Sequence, residues 1–126
     1  MYHRFGWNLG MAFQILDDLL GVWGEPDQTG KSAADDLRQG KKTYPVLVGL
    51  ERSPEFARLW AAGRPGGPQV AALQSALRDC GAEAATRRQA EGFTGKAMAA
   101  LADAAPRPPA ASELEDLAQR LLRRDR

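Results

Sequence analysis

An all-α fold is predicted by three features of the sequence. Apolar residues recur at helical spacing in the longer segments, no strand pattern or internal repeat stands out, and stretches rich in glycine and proline divide the chain into helix-length pieces. The 126 residues fit one domain, and 44% hydrophobic with 26% charged residues is an ordinary balance for a chain with a real core. A formal net charge of +1 argues against recognition of nucleic acid or an anionic membrane by a broad field, so recognition must be local. With a single cysteine, Cys80, the chain can form neither an internal disulfide nor a cysteine-based zinc site, and a reducing cytoplasm is the expected location. Cys80 is expected as a small core residue. No apolar run reaches the roughly 20 residues of a membrane span, and Met1-Tyr-His-Arg does not lead into a signal sequence.

The first helix is expected from about Tyr2 to Trp23, where apolar residues crowd more than one face, as in a helix buried inside a bundle. Gly24 to Gly30 (GEPDQTG) ends it, and Lys31 to Gly40 reads as a polar loop carrying both signs of charge. A second helix is expected from about Lys42 to Arg52, with Pro45 in its first turn and Val46, Leu47 and Leu50 facing inward. Pro54 starts a short helix to Trp60, and Ala61 to Gly67 forms a loop. Pro68 opens a helix with Val70, Leu73 and Leu77 on one face, stopped by Gly81. Glu83 to about Ala104 reads as an alanine-rich helix with Phe93, Met98 and Leu101 on one side, weakened by Gly92 and Gly95 and broken by Pro106-Arg-Pro-Pro109. A last helix is expected to start near Ser112, with Ser112 and Glu115 as a capping box and Leu114, Leu117 and Leu121 as its inner stripe. The tryptophans Trp7, Trp23 and Trp60 suit a core or an interface.

The chemistry concentrates in the apolar run Leu9 to Trp23 (LGMAFQILDDLLGVW), which contains the adjacent acids Asp17 and Asp18. Unpartnered burial of such charges would cost several kcal/mol, so a cation is expected to meet them. On a helix Gln14, Asp17, Asp18 and Gly21 fall at i, i+3, i+4 and i+7, in one sector over two turns. Magnesium is the expected ion, because it takes oxygen ligands and is typically held by one or two carboxylates plus substrate phosphates. Lys31, Arg38, Lys41 and Lys42 follow within a dozen residues on a segment able to fold back over the acids, although Asp35 and Asp36 interleave with them as in a solvated loop. Gly24 to Ser32 (GEPDQTGKS) only imitates a nucleotide-binding P-loop: five residues separate its glycines where the motif allows four, and it follows a helix, not a strand. His3, the one histidine, lacks the spacing of a nucleophile's base.

Three linked blocks carry a resemblance: Phe13-Gln14-x-x-Asp17-Asp18, then Gly24-x-Pro26-x-x-Thr29-Gly30-Lys31, then Asp36-Leu37-x-x-Gly40-Lys41-Lys42-Thr43-x-Pro45. In order and spacing they resemble the second half of the trans-isoprenyl diphosphate synthases, the polyprenyl synthetase family, and look most like bacterial geranylgeranyl diphosphate synthases. The resemblance implies one partial synthase domain: the second aspartate-rich motif on helix 2–23, a diphosphate loop over 24–42 and carboxy-terminal helices over 43–126 of a terpenoid-synthase bundle. It implies condensation of an allylic diphosphate with isopentenyl diphosphate, with magnesium on Asp17 and Asp18, diphosphate contacts from Lys31 and Lys41, and Phe13 and Gln14 lining the cavity near the prenyl groups. Asp17, Asp18 and Lys31 are then the expected catalytic residues.

Two departures from the family pattern stand out. Gly21 occupies the fifth position of a motif that usually reads Asp-Asp-x-x-Asp, and the first aspartate-rich motif with its amino-terminal helices is absent from the sequence. The expected activity is therefore that of a prenyltransferase completed by an amino-terminal half. The alternatives are a non-catalytic or regulatory subunit bound to a partner synthase and an enzyme of the terpene-cyclising type. A homo-oligomer or hetero-oligomer is expected, because so apolar a first helix needs cover on most sides.

Overall fold

The computed structural model describes residues 2–24, 34–63, 67–104 and 110–122, and among these every regular element is a helix. Two long helices, α1 (Tyr2–Trp23) and α6 (Ala82–Ala104), form the axis of the bundle. They run antiparallel, as their shared clusters show: Phe5 near the start of α1 meets Ala97, Ala100 and Leu101 near the end of α6. Farther along, Ile15, Leu16 and Leu19 pack on Ala90 and Phe93. The buried face of α6 is mostly alanine, with Ala82, Ala85, Ala90, Ala97 and Ala100. Small side chains on one stripe let two helix backbones approach closely. Gly92 and Gly95 both lie exposed in this helix and do not interrupt it.

Around the carboxy-terminal end of α1 the shorter elements build the main core. These are the single turn α2 (Asp35–Arg38), α3 (Tyr44–Arg52), α4 (Pro54–Ala61) and α5 (Gly67–Asp79). Val22, Leu37, Val46, Phe56, Leu73 and Leu77 meet there with almost no solvent exposure. Ser53 accepts a hydrogen bond from the Phe56 N–H at 3.0 Å, which caps α4, and Pro54 occupies the first turn where no donor is needed. The Gln74 side-chain amide donates to the Val22 carbonyl at 2.7 Å, satisfying an orphan acceptor at the end of α1. Trp60 stacks on Phe56 with ring centroids 5.7 Å apart, and Cys80 is half-buried against the same cluster.

The last helix, α7 (Ala110–Leu122), packs Leu114 and Ala118 against Phe5, Leu101 and the adjacent alanines. It begins two residues before the Ser112 expected as its cap, because Ala110 and Ala111 are strong helix formers, so the capping box is not at the helix start. Leu117, expected inside, is 45% exposed; the fully buried Ala118 takes the inner face instead. α3 shows the same kind of difference. Leu47 points outward at 51% exposure while Val46, Val48 and Gly49 turn to the core, since the partner surface of Phe56 and Leu77 admits a glycine at closest approach. Trp7 is also exposed.

At Gly49 an added Cβ would overlap the Leu77 side chain and stand 2.8 Å from a Phe56 ring carbon. Alanine gains about 1 kcal/mol over glycine in helix propensity, while overpacking a close core contact costs roughly 1–3 kcal/mol. Gly49→Ala is therefore expected to lower the thermal midpoint. A raised midpoint in calorimetric unfolding would show that Leu77 and Phe56 have room to yield.

Candidate functional site

Asp17 and Asp18 stand about two-thirds of the way along α1, on the side opposite its packing with α6, and both are half-buried. The covering element is a strap that runs from Ala34 through α2 to Thr43. Its path is set by two left-handed residues, Ala34 at φ 59° and Gly40 at φ 70°, on either side of the single helical turn. Leu37, with no exposed surface, anchors the strap in the main core.

Asp18 is held from two directions. Its Oδ2 accepts the Tyr44 backbone N–H at 3.1 Å, and its Oδ1 accepts the Gln14 side-chain amide at 3.0 Å. The first contact caps α3 from another helix. Thr43, the residue in the cap position, makes no side-chain cap bond, and Pro45 has no N–H, so the Asp18 carboxylate satisfies a first-turn donor of α3 and faces its positive end. Burial pushes the Asp18 carboxyl above its ordinary value. The two hydrogen bonds oppose that shift, and the neighbouring Asp36 and Asp17 carboxylates add to it.

Asp36 is the strap's buried acid, at 4% exposure. Its carboxylate lies against Gly21, where an added Cβ would overlap it. Lys41 Nζ stands 3.5 Å from Asp36 Oδ1, an ion pair without a hydrogen bond, and that buried oxygen meets no hydrogen-bond donor among the described residues. The Lys41 N–H donates to the Asp36 carbonyl at 3.0 Å, fixing the turn that brings the two side chains together. Asp35, its neighbour, accepts instead from the Gln39 amide at 2.7 Å on the outside of the turn.

Of the residues expected at the site, Gln14, Asp17 and Asp18 share one face of α1, with the strap that carries Lys41 beside it. Gln14 is exposed and spends its amide on Asp18, and Phe13 is half-buried next to it. Lys31 lies outside the described residues. Two residues without an expected role are central here: Asp36, which heads the third block of the family resemblance but reads otherwise as part of a charge run, and Tyr44, whose contribution is a backbone N–H invisible to motif reading. Among the described residues no three or more carboxylate, thiol or imidazole side chains converge on a point that could hold a metal ion. The donor set is a pair. It fits magnesium only in the form where substrate phosphates and water supply the remaining oxygens. Elsewhere among the described residues lie a cavity of about 320 Å³ beside Arg4, Lys96 and Asp103 and one of about 110 Å³ beside Trp23, Arg78 and Arg87.

The pH dependence follows from the direction of the Asp18 shift. A carboxyl whose folded pKa is raised binds its proton more tightly folded than unfolded, so its contribution to stability falls as pH rises from the unfolded value through the folded one. Asp18→Asn removes that dependence. The midpoint difference between the Asp18→Asn variant and the native chain is expected to shift in the variant's favour as pH rises from the ordinary carboxylate range upward, in thermal melts without divalent ions. A pH-independent difference would refute the raised pKa.

The polyprenyl synthetase family model matches residues 1–79, from α1 through the end of α5. The geranylgeranyl diphosphate synthase of Mycobacterium tuberculosis (strain ATCC 25618 / H37Rv) is 36% identical over 129 residues, covering 97% of this chain and 35% of the relative. The octaprenyl diphosphate synthase of Escherichia coli (strain K12) is also 36% identical, over 97% of this chain and 39% of its own length. Among solved structures, the geranylgeranyl pyrophosphate synthase of Corynebacterium glutamicum, complexed with isoprenyl diphosphate and magnesium, superposes with a TM-score of 0.87 at 35% identity. That match covers 96% of this chain and 36% of the other. A polyprenyl synthase of Caulobacter crescentus CB15, complexed with calcium and isoprenyl diphosphate, gives 0.81 at 33% identity over 98% of this chain and 38% of its own. The chain thus spans somewhat over a third of the length of these relatives. No described helix is long and apolar enough to cross a membrane.

Proposed function

The chain belongs to the polyprenyl synthetase family, and from that membership and the geometry of the Asp17–Asp18 face we propose that it supplies one wall of a prenyl-transfer site. The reaction is the condensation of an allylic diphosphate with isopentenyl diphosphate. The allylic C–O bond breaks with its electron pair leaving on the diphosphate, a C–C bond forms to isopentenyl diphosphate, and a proton is lost.

The observation that carries this reading is the state of Asp18: a half-buried carboxylate, fixed by the Tyr44 N–H and Gln14 and crowded by two further acids. Such an arrangement concentrates negative charge on a rigid helix and leaves it in need of a cation. Asp17 and Asp18 would hold magnesium, which when bound supplies electrostatic stabilisation to the departing diphosphate. The chain's own part is positional. α1, pinned between α6 and the strap, keeps the carboxylates from moving as charge develops, and Lys41 offers an ammonium to phosphate oxygens from the strap. Lys31 is the second proposed diphosphate contact. Phe13, half-buried one turn before Asp17, provides an apolar surface for the prenyl chain, and Gln14 orients Asp18. The finer proposals are a single partial synthase domain, carboxy-terminal in its family, and association with the helices that complete the bundle.

The relatives named as geranylgeranyl and octaprenyl synthases differ in product, so product length is not part of the proposal. The test supplies the amino-terminal part of a related synthase, joined to this chain or as a separate polypeptide, and follows elongation of a labelled allylic diphosphate. Magnesium-dependent elongation is expected, with Asp17→Ala lowering the rate by about 10²-fold or more. Elongation that survives Asp17→Ala would remove the carboxylates from the mechanism. Stimulation of an intact partner synthase regardless of Asp17 would instead favour a regulatory subunit.

A further inference from the structure

We infer that Asp36 is a positioning residue that aims Lys41 at the diphosphate, and that the bare backbone at Gly21 seats its carboxylate in that position. The inference rests on the proposed function and adds to it a residue that acts through another. Three observations meet at this point: a carboxylate at 4% exposure, a lysine nitrogen 3.5 Å from it, and a helix backbone bare of side chain directly beneath.

Nothing in the packing calls for an acid here. Leu37, the next residue, anchors the strap by apolar burial, and an apolar residue at 36 would reinforce it without the desolvation of a charge. Lys41 is the partner that explains the acid. A lysine on an exposed strap loses much rotamer entropy when it is fixed on a ligand, and a buried counterion fixed beforehand reduces that loss. The geometry is also one-sided. Asp36 is enclosed while the Lys41 side chain remains 52% exposed, so the ammonium is held from one side and still has donors open to an arriving anion.

Gly21 is the third member of this arrangement. In the family pattern its position usually carries an acid, yet in this chain even a methyl group there would strike the Asp36 carboxylate. Gly21 leaves this turn of α1 bare, and the strap lays the Asp36 carboxylate over it. Its inferred task is to hold the lysine, whose Nζ stands 3.5 Å from Asp36 Oδ1.

The experiment is a double-mutant cycle read by isothermal titration of the chain with magnesium pyrophosphate. Asp36→Asn and Lys41→Gln are each expected to weaken binding by about tenfold, and the double variant no more than Lys41→Gln alone, the signature of two residues acting through one contact. Asp35→Asn, on the outside of the same turn, is expected to bind like the native chain. Additive losses, or native affinity in Asp36→Asn, would overturn the positioning role while leaving the proposed function standing. No binding by the native chain would overturn the positioning role, and the elongation assay with the amino-terminal part decides the proposed function separately. If Asp36→Asn does not fold, Gly21→Ala carries the titration, since it displaces the carboxylate without removing it; native affinity there overturns the role. The seat is tested separately by thermal unfolding: Gly21→Ala is expected to lower the midpoint in the native background and not in Asp36→Ala. Equal tolerance of alanine in both backgrounds overturns it.

Discussion

The hydrogen bond from the Tyr44 N–H to the Asp18 carboxylate, 3.1 Å long, is the contact on which the rest of the site depends. It joins the longest apolar helix to the first turn of α3, across 26 residues of chain. α3 has no side-chain cap of its own, and the proline in its first turn removes one donor. A carboxylate from α1 is therefore both cap and countercharge for the helix N-terminus. The same oxygen atoms belong to the candidate metal site. Fold and proposed function share one acid, so the geometry of the candidate site is set wherever these helices are correctly assembled.

Two surfaces of α1 make that sharing possible. One side meets the alanine stripe of α6, where small residues bring the helices close and bury Ile15, Leu16 and Leu19. The other faces the strap, which is polar but not loose: Leu37 is sunk in the core, and Ala34 and Gly40 turn the chain with positive φ on each side of α2. Apolar burial supplies the anchoring, and the polar groups are left to be placed by it. Asp18 and Asp36 can be buried to the extent they are because neither has to stabilise the fold by itself.

Much of this was legible in the sequence. The all-α class, the long helix over residues 2–23, Pro45 in a first turn and the shared face of Gln14, Asp17 and Asp18 follow from periodicity and turn chemistry, which are local. What failed was what depends on partners. Leu47 and Leu117 satisfy the helical spacing yet point outward, because Val46 with Gly49, and Leu114 with Ala118, fit the facing surfaces more closely. Hydropathy ranks leucine above glycine and alanine, but close approach reverses that ranking. Asp36 stands in a family block, but its burial was hidden for a similar reason. In sequence it is one of two adjacent acids among basic residues, and only the approach of the strap to Gly21 separates the buried Asp36 from Asp35 on the outside of the turn. Tyr44 contributes a backbone N–H, to which side-chain identity is no guide.

The charge arrangement also constrains how a diphosphate could enter the proposed site. Asp17 and Asp36 both push the Asp18 carboxyl upward, so the face of α1 repels additional negative charge before any ligand arrives. A bare diphosphate would meet that repulsion, with the partial positive charge of the α3 N-terminus already directed at Asp18 and Lys41 already shared with Asp36. A diphosphate accompanied by magnesium brings the missing countercharge with it, and each ion placed against Asp17 and Asp18 removes a repulsion as well as adding an attraction. Electrostatics on this face therefore select the metal complex over the free anion, a discrimination that follows from surplus acid and would be lost if a cationic side chain neutralised the pair in advance.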